Sequence, residues 1–331
     1  MATAVEDKHF FEGTEKLLEV WFSSTSNEDT RNLRTIERCH WEELLKLVQC
    51  EIISIVSDED MDAYVLSESS MFVTSHRFIL KTCGQTTLLL AVEPLLKLVA
   101  NKCGFDKVQD VFYSRKNFTR PDKQHKIHRK FEDEVDHLDT MLKDGAAYCL
   151  GRMNRDCWYL YTIDCIGVMD PDQTLELLMW NMDQKKMKIF SKETCASGKE
   201  ASEKSGISAL IPGAQIDDFL FHPCGYSMNG LLPGGYYITI HVTPEPQCSY
   251  VSFETNVPQK SYHDLLKKIL KVFSPGKFLM TIFANQESIA KDSPKDLENM
   301  TAVQGYVRND HQHCLFKNYS LTYTHFSRPV L

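Results

Sequence analysis

Seven short stretches of this chain, 63–66, 78–82, 157–162, 174–178, 236–242, 250–253 and 278–283, are built on a period of two. That period turns successive side chains to opposite faces, so each stretch reads as a strand. Five others carry apolar residues three and four apart and read as helices: 14–22, 41–48, 87–100, 131–142 and 262–272, the third kinked or divided by Pro94. The two kinds alternate along the whole chain, and strands outnumber helices. Charged, turn-rich stretches at 116–130, 191–205 and 285–299 read as surface loops, and none separates segments of different composition, so residues 1–331 form a single domain. Phe11-Glu12 before the first helix and Phe253-Glu254 before the last make a faint echo, too short to carry a duplication, which reads as coincidence.

Composition narrows the partners. The chain has 43% hydrophobic and 25% charged residues, ordinary for a globular protein, and 37 Lys plus Arg against 45 Asp plus Glu, a formal charge of −8. A surface of that sign draws in neither nucleic acid nor anionic lipid. No apolar run approaches bilayer length, and the first residues carry no secretory pattern, so the expected location is the cytosol. Eleven cysteines form no C-x-x-C pair and no metal-ligand spacing; they read as reduced, mostly buried thiols, and no metal is expected. In that setting the N-x-S/T triplets at Asn117, Asn299 and Asn318 are chance matches.

Chemistry concentrates at Tyr64-Val65-Leu66-Ser67-Glu68-Ser69-Ser70-Met71-Phe72, a strand interrupted by hydroxyl residues. Taken alone, Ser-Glu-Ser-Ser is a solvated turn. A serine hydrolase would need more than this: there is no G-x-S-x-G elbow, and His241 has no evident triad partner. Other blocks give the segment its context: His9-Phe10-Phe11-Glu12-Gly13-Thr14-Glu15-Lys16-Leu17-Leu18, Lys81-Thr82-Cys83-Gly84, Asp172-Gln173-Thr174-Leu175-Glu176, Pro223-Cys224-Gly225-Tyr226-Ser227-Met228-Asn229-Gly230 and His241-Val242-Thr243-Pro244-Glu245-Pro246. In this order they resemble the eukaryotic S-adenosylmethionine decarboxylases.

The resemblance implies an α+β fold, a four-layer αββα sandwich of two facing antiparallel sheets with helices outside. It implies a pro-enzyme that cuts itself between Glu68 and Ser69 into 1–68 and 69–331, turning Ser69 into a pyruvoyl cofactor. Ser69 would attack the Glu68 carbonyl to form an ester, and a base matching His241, assisted by Ser227, would remove the Ser69 Cα proton so that the ester leaves. The pyruvoyl ketone would take the substrate amine as a Schiff base and accept the electrons released with carbon dioxide, Cys83 returning a proton. The product, S-adenosylmethioninamine, would donate aminopropyl groups for spermidine and spermine synthesis. By the same matching, Phe11 and Phe221 stack on adenine, Glu245 accepts the ribose hydroxyls, the Leu66 backbone meets the adenine edge, and Glu12, Glu15 and Glu68 are active-site acids. His222 stands where the family more usually has asparagine.

Alternation places Asp172, Thr174 and Glu176 on one strand face, where two acids repel unless a cation joins them. In animal members the matching acids, with Glu254, bind putrescine, which stimulates both processing and decarboxylation; Glu19, Lys81, Phe112, Phe283 and Tyr319 match the rest of that network. The family also implies a homodimer of cleaved protomers. The rival readings are a non-catalytic regulatory paralogue and a polyamine-binding protein.

Overall fold

The structure is a computed structural model that describes residues 11–25, 31–163 and 171–329. His9 and Phe10 of the first motif lie outside the described residues. The first half of the chain builds β1 (Lys16–Ser23), β2 (Ile52–Ser57), β3 (Asp62–Leu66), β4 (Ser69–Val73), β5 (Arg77–Thr82), β6 (Lys107–Lys116), β7 (Gly145–Gly151) and β8 (Cys157–Ile163). These form an eight-stranded antiparallel sheet in the order β2-β3-β4-β5-β1-β6-β8-β7. The second half builds β9 (Gln173–Met182), β10 (Gln215–Leu220), β11 (Tyr226–Leu232), β12 (Tyr236–Thr243), β13 (Tyr250–Thr255), β14 (Pro275–Asn285), β15 (Ala302–Val303), β16 (Tyr306–Leu315) and β17 (Tyr319–Ser327). Their order is β10-β11-β12-β13-β9-β14-β17-β16-β15, so with the two-residue β15 set aside the second sheet repeats the first.

The helices repeat too. α1 (Arg38–Leu47) follows the first strand, α2 (Val92–Cys103) the fifth and α3 (Phe131–Asp139) the sixth. In the second half α4 (Gln184–Met187) and α5 (Gly198–Ser205), α6 (His263–Phe273) and α7 (Ser293–Asn299) take the same places. The halves therefore share one topology, which the Phe-Glu echo does not mark. β9 is the counterpart of β1, whereas Phe253-Glu254 lies in β13, the counterpart of β5.

Four layers follow from where the apolar side chains go. Leu18, Val20 and Phe22 of β1 pack with Leu44, Leu95 and Leu138 of the first three helices. On the other side, Leu177, Ile240 and Phe253 pack with Leu266, Ile269 and Phe273 of α6. Each such side chain contributes about 1.5–3 kcal/mol by leaving water. Between the sheets are two smaller apolar clusters: one joins Trp158 and Leu160 to Leu279 and Tyr323, the other Phe72 to Tyr237 at 4.6 Å between ring centres. Buried charged groups also lie between the sheets, Lys81 with Glu15, Glu176 and Glu254 among them.

Three expectations need correction. The stretch 14–22 holds no helix but leads into and fills most of β1, because its Glu15, Leu17 and Glu19 face the polar layer between the sheets while Lys16, Leu18 and Val20 face the helix side. The stretches 191–205 and 285–299 are not wholly loop, since they contain α5 and α7; α5 is capped by the Ser197 hydroxyl accepting the Glu200 N–H. Pro94 does not divide a helix. It sits in the first turn of α2, where its missing N–H has no partner to lose, and a 3-10 turn over Leu88–Ala91 precedes it.

Candidate active site

β3 and β4 are joined by the two-residue turn Ser67-Glu68, with Leu66 paired to Ser69. The turn is held from both sides: Ser67 N–H donates to the Glu51 carbonyl at 2.8 Å, and Cys83 N–H donates to the Glu68 carbonyl at 3.1 Å. Ser69 has φ 118°, a conformation an L-residue holds only at a cost of about 1–3 kcal/mol. The strain falls on the peptide bond that the sequence singles out.

Ser69 meets Glu15, just before β1, and His241 of β12 in the second sheet. Its hydroxyl donates to Glu15 Oε1 at 2.6 Å and lies 3.2 Å from His241 Nδ1, and Glu15 Oε1 is 2.7 Å from that nitrogen. Burial alone would raise the Glu15 carboxyl. The neighbouring His241 and the Lys81 ammonium, with side-chain hydrogen bonds to His241 and Ser252, overcome it and hold the group far below the carboxylate range. Ser227 is the cross-strand partner of His241 on β11, and Ser252 its partner on β13. Burial, reinforced by Glu68 and Glu15, pushes the Cys83 thiol well above its usual range, and its Sγ is 3.7 Å from Glu68 Oε2.

These groups open on a cleft of about 300 Å³, lined by Phe11, Glu68, Ser69, Cys83, Phe221, Ser227, His241 and Glu245 among others. Phe11 packs so closely on the turn after Cys83 that a Cβ on Gly84, which has φ 63°, would stand 2.6 Å from its ring. Among the described residues Glu245 Oε2 is buried with no hydrogen-bond partner. Leu66 is not among the residues lining this cleft, and its side chain belongs to the helix-side core. Glu12 stands apart: its carboxylate accepts the Thr119 and Arg120 N–H groups, anchoring the loop that follows β6, and lines a neighbouring cleft.

Deeper between the sheets is a second cavity, lined by Glu19, Phe112, Asp172, Thr174, Glu176, Glu254, Phe283 and Tyr319 with Trp158 and other apolar groups. Lys81 completes the set predicted from the sequence. Its ammonium, fully buried, is 2.7 Å from Glu254, 3.5 Å from Glu176 and 3.6 Å from Glu15. Burial would lower the Lys81 pKa, but the Glu254, Glu15 and Glu176 carboxylates reverse this and keep it charged. Arg77 pairs with Glu19 at 2.7 Å and lies 3.6 Å from Asp172. Five carboxylates thus share two permanent cations. The imbalance appears in Glu176, pushed by burial up to about 7, and in Glu19, which burial also raises.

Sequence reasoning missed several members of these networks. Ser70 donates to Asn229 Oδ1 at 2.7 Å and lies 2.7 Å from His241 Nε2, while Thr239 donates to the same Asn229 oxygen at 2.9 Å. Tyr237 donates to Glu254 at 2.6 Å. Alternation could have found them: Tyr237 and Thr239 share a face with His241, and Arg77 continues the Lys81-Cys83 face of β5.

The family profile described as adenosylmethionine decarboxylase matches residues 8–327. The S-adenosylmethionine decarboxylase proenzyme of Drosophila melanogaster is 49% identical, covering 96% of each chain, and that of Xenopus laevis is 48% identical, covering 97% of this chain and 96% of the relative. The yeast proenzyme, from Saccharomyces cerevisiae, is 36% identical over 86% of this chain and 84% of its own. Among solved structures, the Trypanosoma brucei AdoMetDC-delta26 monomer superposes with a TM-score of 0.59 at 22% identity, covering 84% of this chain and all of that one, a likeness of fold. With a matching profile over nearly its whole length and animal relatives close to half identical, the chain belongs to the adenosylmethionine decarboxylase family of enzymes.

Proposed function

We propose that the chain cuts its own Glu68-Ser69 bond and then, as fragments 1–68 and 69–331 of one domain, decarboxylates S-adenosylmethionine. The observation that carries this reading is the setting of Ser69, a strained residue whose hydroxyl lies between Glu15 and His241. With the Ser70 and Thr239 hydroxyls both donating to Asn229, the Ser70 oxygen is left to accept from His241 Nε2–H, so Nδ1 is the nitrogen open to a proton. A carboxylate held as strongly ionised as Glu15 is a poor base; it orients the hydroxyl and stabilises the imidazolium.

Ser69 Oγ adds to the Glu68 carbonyl carbon as its proton passes to His241. The C–N bond then breaks, the proton moves to the departing nitrogen, and an ester links Glu68 to Ser69 Oγ. Charge builds meanwhile on the Glu68 carbonyl oxygen, at which the Cys83 N–H already points. His241 next takes the Ser69 Cα proton and the Cβ–O bond breaks, leaving Glu68 as a carboxylate terminus and residue 69 as dehydroalanine. Tautomerisation to the imine and exchange of nitrogen for water oxygen release ammonia and leave a ketone.

Residue 69 suits a pyruvoyl group, being 2% exposed at the floor of the cleft beside Cys83. That group supplies the electron sink that α-decarboxylation requires. The chain's other residues bind and protonate. Phe11 and Phe221 offer ring faces to adenine and to the neighbouring sulfonium, the unpartnered Glu245 oxygen accepts a ribose hydroxyl, and the Cys83 thiol, kept protonated, holds the proton destined for the substrate Cα.

The excess of carboxylates in the aromatic-walled cavity supports putrescine as its ligand, a short chain with an ammonium at each end. Lys81 touches Glu176 and Glu254 on the cavity side and Glu15 on the Ser69 side, so a bound diamine changes the field at both reactive groups. The test is electrophoresis and mass spectrometry of purified chain with and without putrescine. Two fragments, the larger blocked by a pyruvoyl group at position 69, are expected; one intact chain with an ordinary serine overturns the proposal.

A further inference from the structure

A smaller cavity adjoins the diamine cavity and shares two of its walls, Phe112 and Tyr319; its other lining residues include Asp110, Phe316 and Lys317. Along one face of β6 the sequence steps from Asp110, in this outer cavity, to Phe112, common to both, to Ser114, in the inner one. Phe112 meets Tyr319 edge to face at 5.5 Å and Phe283 at 5.4 Å, and the Tyr319 hydroxyl donates to Asp172 at 3.2 Å. An aromatic partition thus separates the two spaces, with a carboxylate on either side.

Asp110 is 3% exposed, yet its carboxylate accepts only the N–H of the next residue, Val111, at 2.9 Å. Among the described residues no cation pairs with it. An asparagine would make the same hydrogen bond, so the local fold has no need of the charge. The outer cavity reaches the surface at Lys317, which is exposed.

We propose that the outer cavity is the mouth of the diamine site, with Asp110 as a first docking point for one ammonium of an aliphatic diamine before it passes the Phe112–Tyr319 partition to Asp172. This rests on the diamine reading of the inner cavity. Mixing the uncut Ser69→Ala chain with putrescine in a stopped-flow fluorimeter reads the step through Trp158, which lines the inner cavity. Asp110→Asn is expected to slow association about three- to tenfold, and Lys317→Glu, at an exposed site, to speed it by a similar factor at low salt, both effects shrinking in high salt. Unchanged association in both variants overturns the mouth assignment while leaving the inner site standing. If Asp110→Asn does not fold, Lys317→Glu decides alone. If the parent chain shows neither fluorescence change nor calorimetric binding, the inner-site reading fails and the mouth fails with it.

Discussion

Glu15 and His241, brought together from different sheets, lie 2.7 Å apart from carboxylate oxygen to ring nitrogen. The contact makes the carboxylate a support for positive charge on the imidazole. Replacing Glu15 with glutamine keeps the volume and removes that support, so self-cleavage is expected to slow about a hundredfold or more. A time course of fragment appearance on gels checks it, with the melting temperature showing that the variant folds. Cleavage at the parental rate would refute the role.

Diamine affinity should depend on pH through Glu176. Burial raises this carboxyl from an ordinary 4.5 to about 7, so between those values the folded chain holds a proton that the unfolded chain has released. Its contribution to stability therefore falls as pH rises through that window. A dication needs the ionised form, and putrescine's amines stay protonated throughout. Affinity should rise toward pH 7, by at most about tenfold per unit for each proton displaced, and level off above it. Calorimetry on Ser69→Ala near pH 6 and pH 8 tests this; tighter binding at the acidic end contradicts it.

The fold class was legible in the sequence, whereas the identity of single elements was less so. Motif order pointed to Ser69, Cys83 and His241, which line one cleft. β1 was misread because Leu17, Leu18, Trp21 and Phe22 fall three and four apart, the apolar spacing of a helix, beside the acids Glu15 and Glu19. Those acids face an interior layer of charge, and no local pattern separates a buried polar face from an exposed one. β11, Tyr226–Leu232, carries Asn229 and Gly230 where a strand pattern wants bulk; Asn229 accepts from Ser70 and Thr239, and a Cβ on Gly230 would stand 2.7 Å from Ile238 of β12. The repeated topology leaves no readable trace because each half has specialised its inner face: β1 carries Leu17 and Glu19, with Glu15 just before it, and its counterpart β9 carries Thr174 and Glu176.

Cys83 should be separable from processing by its side chain. The interaction with the Glu68 carbonyl uses the Cys83 backbone N–H, which survives substitution. Cys83→Ala is therefore expected to cleave itself while losing about a hundredfold or more in decarboxylation rate. Burial and the Glu68 and Glu15 carboxylates keep the thiol protonated, so iodoacetamide should label exposed Cys39 well before Cys83. Preferential labelling of Cys83 in the uncut chain would contradict this electrostatic account.

Lys81 offers the sharpest test of the charged layer. Its ammonium is shared by Glu254, Glu176 and Glu15, all buried, so Lys81→Met strands Glu254 and Glu176 without a cation, leaves Glu15 with His241 alone and should cost about 3–5 kcal/mol. Methionine has similar length, so little of that loss is packing, and a purely steric deficit would not depend on pH. An electrostatic deficit must. Without Lys81 the carboxyls titrate higher in the folded chain than in the unfolded one, so the folded state takes up protons as pH falls and regains stability. The difference in melting temperature between parent and Lys81→Met, both in the Ser69→Ala background, should therefore be larger near pH 8 than near pH 5.5. An equal difference at the two pH values would mean that Lys81 serves the fold by shape and not by charge.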